Sequence, residues 1–267
     1  MSLWYNFKMK IMEVQKMQIK RLDPSNDPVT YVRVVVTQGI AYFTDHIARP
    51  EYKTVQEQTR GILARYEELF EQFGLKKENI VFAINYLDKK YQPKECQDIF
   101  QKWMGDIEAE AMWIPSTFSM DRQVAITFFV AEDEEHAKQA RADKEWRLTM
   151  DDMHLVNGTS IRVAKHNGVC YLVGGACLDG SSEAEQTKSL LKEMELLFKI
   201  HGLKKENMIF QFSYLSDRPE VDLDAYEEIW QGWVGRGTPY PPSGIRMQLD
   251  TPKDHDVDIS ILVAMDD

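Results

Sequence analysis

Side chains able to do chemistry are scattered through this sequence and gather into no familiar signature. Six histidines occur without an HExxH pattern or a close His/Cys/Asp spacing, so neither a metal site nor a resident cofactor is expected. Cys96, Cys170 and Cys177 are three isolated thiols with no CxxC pair. Such a set fits reduced structural cysteines better than a disulfide framework, and neither Cys170 nor Cys177 has a convincing histidine partner. Val173-Gly174-Gly175-Ala176 has the small residues of a phosphate loop. It lacks the Lys-Ser/Thr continuation and the dinucleotide glycine spacing, so a strand-end turn explains it. Two single groups remain. His46 ends a strand-like run, where a hydrogen-bonded or solvent-facing imidazole outweighs a general base. Asp258 alternates with Val257 and Ile259, which turns its carboxylate to the opposite side of a strand, exposed or lining a cleft.

Composition sets limits on what these groups can serve. The apolar fraction is 43% and the charged fraction 28%, enough to bury a core and incompatible with a disordered chain. The formal net charge of −11, without a basic-aromatic stripe, weighs against a nucleic-acid partner. No apolar run approaches the ~18–20 residues of a membrane span, and the first residues lack a signal-peptide pattern. A soluble, cytoplasmic protein with no membrane partner is the expectation.

The elements that must position the candidate groups occur twice. Gly-Leu-Lys-Lys-Glu-Asn stands at Gly74–Asn79 and again at Gly202–Asn207, an offset of 128. Gln58-Thr59 and Gln186-Thr187, Glu67 and Glu195, Phe82 and Phe210, and Tyr86-Leu87 and Tyr214-Leu215 keep that offset. Gly39 and Gly168, and Trp103 and Trp233, drift from it by one or two residues, as small loop insertions would produce. A period this long makes each copy a whole domain. We therefore divide the chain into a first domain at 22–131, a charged linker at 132–150 and a second domain at 151–267.

Within each copy, two β-branched runs meet at Gln38-Gly39 or Asn167-Gly168 and predict a hairpin. A helix stopped by Gly74 or Gly202 follows, then a strand at Ile80–Leu87 or Met208–Leu215. A second helix ends near Trp103 or Trp233, and a last strand lies in Gln123–Ala131 or Val257–Ala264, with another just before it. The order ββαβαβ(β) predicts α+β domains, each a mixed sheet with two helices on one face. Glu132–Lys144 reads as a solvated helical or loose tether, the segment ending at Arg21 as a source of an edge strand, and Trp103 and Trp233 as packing residues. The repeated Lys-Lys reads as exposed loop chemistry.

This element order, the Gln-Thr opening the first helix, the Gly ending it and the proline-bearing turn before the last strand resemble the RidA/YjgF family. The resemblance covers roughly 28–131 and 156–264, and Tyr240-Pro241-Pro242-Ser243 through Val257-Asp258-Ile259 follows the family pattern without a gap. It implies two chorismate-mutase-like domains, packing of domains as trimers in a homo-oligomer, and ligand clefts between neighbouring domains. Members of the family are enamine/imine deaminases, also labelled endoribonuclease L-PSP.

The resemblance also assigns candidate site residues. The family arginine that holds a substrate carboxylate falls on Ser243 in the second copy and near Glu110 in the first. A serine offers one donor where guanidinium offers a planar fork, and a glutamate reverses the charge. The water-positioning glutamate falls on Asp258 and near Ala125. The family Ser-Gly-Gln falls on Thr44-Asp45-His46 and on Val173-Gly174-Gly175, and the family tyrosine on Tyr31 and Ser160. Arg246 lies an odd number of positions beyond Ser243, on the opposite sheet face, and Arg33 is a guanidinium on the first strand. The resulting expectation is a binder of a small metabolite at inter-domain clefts, with Asp258 and Tyr31 as catalytic candidates. Thr44, His46, Ser243, Glu110 and Gly174 are the ligand-binding candidates, and no metal is included. The alternative is a hydrolase of the imine/enamine deaminase type, working through a composite cleft of Tyr31, Thr44 and His46 with Ser243 and Asp258. An endoribonuclease ranks below both.

Overall fold

The computed structural model describes residues 19–24, 32–44, 46–47, 51–118, 121–152, 161–175, 182–235, 238, 242–251 and 255–266. Among these, the first half runs β1 (Lys20–Pro24), β2 (Val32–Thr37), β3 (Ile40–Phe43), β4 (His46–Ile47), α1 (Val55–Phe73), β5 (Ile80–Asp88), α2 (Lys94–Met104), β6 (Glu110–Ser116) and β7 (Val124–Ala131). Two short helices follow, α3 (Glu134–Ala142) and α4 (Lys144–Asp152). The second half repeats the series as β8 (Arg162–His166), β9 (Val169–Val173), α5 (Glu183–His201), β10 (Met208–Ser216), α6 (Leu223–Val234), β11 (Ser243–Leu249) and β12 (Val257–Ala264).

One sheet has the order β1-β2-β3-β7-β5-β6, with β4 beside β7, and the other β11-β10-β12-β9-β8. In each, a single parallel pair, β5–β6 or β10–β11, is joined through a crossover helix, and the remaining pairs are antiparallel. The registers fix which residues correspond. Phe82 sits between Glu110 and Phe129, and Phe210 between Ser243 and Leu262. A register shift interrupts both central strands at the same place, Ile80/Phe82 and Met208/Phe210. Glu110 and Ser243 are therefore equivalent. So are Ala125 and Asp258, which face Tyr86 and Tyr214.

Local chemistry accounts for the boundaries. Thr54 and Glu57 form a reciprocal capping box on α1, and Ser182 caps α5. Gly74 and Gly202 close these helices at φ 68° and 66°. At the hairpin tips Gln38-Gly39 and Asn167-Gly168 all have positive φ, as a two-residue turn matched to the strand twist requires. The repeated hexapeptide has a structural use beyond loop chemistry. Its second lysine reaches the last turn of the following helix: Lys77 Nζ donates to Trp103 O at 2.7 Å, and Lys205 Nζ to Trp233 O at 2.9 Å. Each ammonium also stands over the indole it serves, satisfying an orphan carbonyl at the negative end of a helix.

Alternation along the strands divides the apolar residues into three cores. Val34, Phe43 and Phe128 pack under α1 and α2, and Leu172, Ile259 and Ile261 under α5 and α6. The opposite faces are also apolar and meet each other, so the layers run helix, sheet, sheet, helix. Phe129 and Phe210 lie 5.2 Å apart in this middle layer, and the hydroxyls of Tyr86 and Tyr214 are 3.0 Å apart. The two sheets come closest along β11, which lies against β2 and β3 at one end and β6 at the other, where Thr117 N donates to Gln248 O at 2.8 Å.

The linker departs from the expected solvated tether. Ala137, Trp146 and Met150 are buried in the middle core, and Trp146 packs edge-on against Phe82. Arg141 on α3 donates to Ile80 O through Nε at 3.1 Å and to Glu78 O. Charged residues dominate the segment, but every few positions one apolar side chain turns inward. Met150→Ala should therefore destabilise the whole chain by roughly 2–5 kcal/mol, as truncation in a filled core does. Urea unfolding midpoints test this. A change no larger than that of the exposed control Lys144→Ala would return the linker to a tether.

Candidate functional site

Asp258 is the ionisable group that the fold treats most unusually. Its side chain turns away from Val257 and Ile259, as alternation requires, but it enters the middle layer and is 1% exposed. The exposed or cleft-lining position expected from sequence is corrected: the opposing sheet covers that face. One oxygen accepts from the Gly175 backbone N–H, and Oδ2 has no hydrogen-bond partner among the described residues. Burial pushes the carboxyl up to about 8, with the Gly175 bond pulling the other way. No nearby cation contributes, so the group is mainly a neutral acid at pH 7. It can give a hydrogen bond or a proton and accept one on the other oxygen.

The groups around it come from three elements. Two residues along β12, on the same face, Ser260 Oγ accepts from Gly174 N at 2.7 Å. Gly174 has φ 54°, and a Cβ on Gly175 would stand 2.6 Å from Ile161, so both glycines are required by the turn that closes on Asp258. Tyr214 lies opposite Asp258 on β10, and its hydroxyl meets that of Tyr86 from the other half. Burial raises the Tyr214 phenol well above its usual range, and Asp258 adds to that. Ser260, Tyr214 and Tyr86 were not among the sequence candidates, whereas Gly175 ends the Val173-Gly174-Gly175 segment named there. The two-residue step from Asp258 to Ser260 and the repeated Tyr-Leu pair are the signals that point to them.

A second cluster forms where β11 meets β2 and β3. Thr44 Oγ1 donates to Gly244 O, and Ser243 Oγ lies at 3.5 Å from Arg33 O, at the limit of a hydrogen bond. Arg33 O also accepts from Thr44 N at 2.9 Å, while Tyr66 of α1 donates to Ile126 O at 2.8 Å and to Thr44 O at 3.3 Å. Thr44 and Ser243 thus come together from the two halves, both turned onto backbone carbonyls. Asp258 does not join them. Ser243 sits beside Phe210 and Asp258 beside Tyr214, four residues further along β10, or ~13 Å at strand rise.

The other candidates take separate places. Glu110 begins β6, half-buried, with register confirming its equivalence to Ser243. His46 lies on β4 opposite Ile126, and Tyr31 falls outside the described residues. Arg246 points to the helix layer and pairs with Glu227 of α6, so it does not face the clusters between the sheets. Cys96 and Cys170 are buried free thiols, each pushed up by burial, and Cys177 lies outside the described residues. Among the described residues no group of three His, Cys, Asp or Glu side chains could hold a metal, and no helix is long and apolar enough to cross a membrane.

No protein-family model and no curated protein matches this sequence. Among solved structures the chain is similar to a YjgF-family member from Neisseria meningitidis, with 17% identity over 44% of this chain and 98% of that one, at a TM-score of 0.40. A family member from Mycobacterium tuberculosis matches with 17% identity over 43% and 99%, at 0.37. A protein of the conserved Rid family from Yersinia pestis matches with 16% identity over 43% and 99%, also at 0.37.

The buried acid has a measurable signature. The native state holds the Asp258 proton up to about pH 8, whereas an unfolded aspartate releases it near its ordinary value of 3.8. Between these values the native state binds more protons than the unfolded state, so this group lowers stability as pH rises, by at most ~1.4 kcal/mol per pH unit. Asp258→Asn should remove that slope. Unfolding curves of the two proteins from pH 5 to 8 are expected to diverge, the wild type losing ground; parallel curves would mean an ordinary ionised aspartate.

Proposed function

We propose that this chain is a divergent tandem RidA/YjgF-like protein, with domains at 22–131 and 151–267, that binds a small polar metabolite without hydrolysing it. The observation that carries the reading is the pair Glu110 and Ser243. They occupy equivalent strand positions, where the resemblance implies an arginine, and the Ser243 hydroxyl is turned towards Arg33 O. A cleft without that guanidinium lacks its strongest contact for a carboxylate-bearing imine. What persists is an acid with one oxygen that has no hydrogen-bond partner among the described residues, held in place by the Gly175 N–H.

The reading includes a homo-oligomer, as the resemblance implies. Within the chain β11 already lies against β2, β3 and β6, while β1 and β8 end their sheets with no further strand beside them among the described residues.

The deaminase reading is favoured by one feature, a protonated carboxyl available near neutral pH, which is the state a general acid needs. Following the absorbance of freshly generated 2-aminoacrylate separates the two. The binder reading expects decay at the buffer rate with or without protein. Turnover above buffer that Asp258→Ala abolishes would replace it with the deaminase.

A further inference from the structure

A cavity of about 300 Å³ opens where the two hairpin tips meet the linker helices. It shares no residue with the Asp258 cradle or the Thr44–Ser243 cluster. Its floor is aromatic: Tyr42, Trp146 and Tyr171, all buried. Its mouth is ringed by the carboxamides of Gln38, Gln139 and Asn167, all exposed. The floor is joined by hydrogen bonds, the Trp146 indole donating to the Tyr171 hydroxyl, which bonds in turn to that of Tyr42. Burial raises both phenols above their usual range, so they are neutral groups. Asp143 fixes the rim, accepting from Trp146 N at 2.9 Å and from Asn167 Nδ2 at 3.3 Å.

We propose that this cavity is a binding site for a small, planar, uncharged heterocycle of the nucleobase type. No lysine or arginine lines it, the lining His136 is paired with Asp133, and Asp143 lines it as well, which disfavours an anion. Aromatic walls accept a flat ring by stacking, and carboxamides offer the paired donor and acceptor that match the edge of such a ring. The volume lies at the small end of the ~300–1,000 Å³ range of ligand sites, suiting one or two fused rings without a sugar or phosphate. The site exists because the linker folds down, since α3 supplies Gln139, α4 supplies Trp146 and the junction between them supplies Asp143.

Calorimetric titration of the full chain tests this, with adenine and nicotinamide as neutral probes and adenosine monophosphate as the anionic one. Saturable binding of a neutral probe is expected, weaker for the monophosphate and unchanged by Asp258→Asn, which separates this site from the proposed metabolite cradle. Tyr42→Phe should weaken it about tenfold by removing one buried hydrogen-bonding group. Ala140→Trp should abolish it by filling the mouth. Because either change could disturb the core, Gln139→Ala, on the exposed rim, is the second measure and should weaken binding in the same direction. The proposal falls if the wild type binds neither neutral probe up to about 5 mM, far below useful affinity. It falls equally if folded Ala140→Trp or Gln139→Ala binds as well as the wild type, or the monophosphate binds as tightly as adenine.

Discussion

Burial of one sheet face against the other is the constraint on which everything else in this chain rests. A sheet with helices on one side still has a second face, and in both halves that face is built of Phe, Tyr, Val and Ile. Left in water, those residues would form an apolar patch far larger than a soluble monomer carries. Pressing the two faces together removes both patches at once, and it brings Tyr86 to Tyr214 and Phe129 to Phe210. Asp258 is caught in this layer, and its raised titration follows from being there.

The sheet contact also explains why the linker cannot be passive. The two sheets come closest along β11, and Trp146 and Met150 fill part of the space left between them at the hairpin tips. The unfilled remainder is the cavity beneath the hairpin tips. A segment whose charge content reads as solvated therefore ends up as a structural wedge.

Most of the fold was legible in the sequence because it depends on period and punctuation. Gly74 and Gly202 stop helices, Gln38-Gly39 and Asn167-Gly168 turn hairpins, and the alternation around Asp258 gave its facing correctly. The shared register of Glu110 and Ser243 was within reach of the duplicated pattern. What escaped depends on contacts between elements far apart in the chain. Alternation says which side of a strand a residue takes and nothing about what lies on that side, so the burial of Asp258 was missed. The same gap hid the inward turn of Trp146 and the meeting of Thr44 with Gly244 from the other half. Of the expected composite cleft, Ser243 and Asp258 are set apart along β10, a spacing fixed by pairing partners that a single sequence does not name.

The hexapeptide that first betrayed the duplication bears on how the two halves drifted apart. Lys77 and Lys205 each serve a helix of their own half, through contacts that never cross to the other copy. Such a device is judged locally, so either copy losing it suffers alone and the same letters are retained twice. Residues in the middle layer answer to the opposite half instead, and there Ala125 stands where its counterpart is Asp258. Once a gene has doubled, private contacts hold each twin to the same letters separately, while the surface they share keeps some positions matched, as at Tyr86 and Tyr214, and lets others part, as at Ala125 and Asp258.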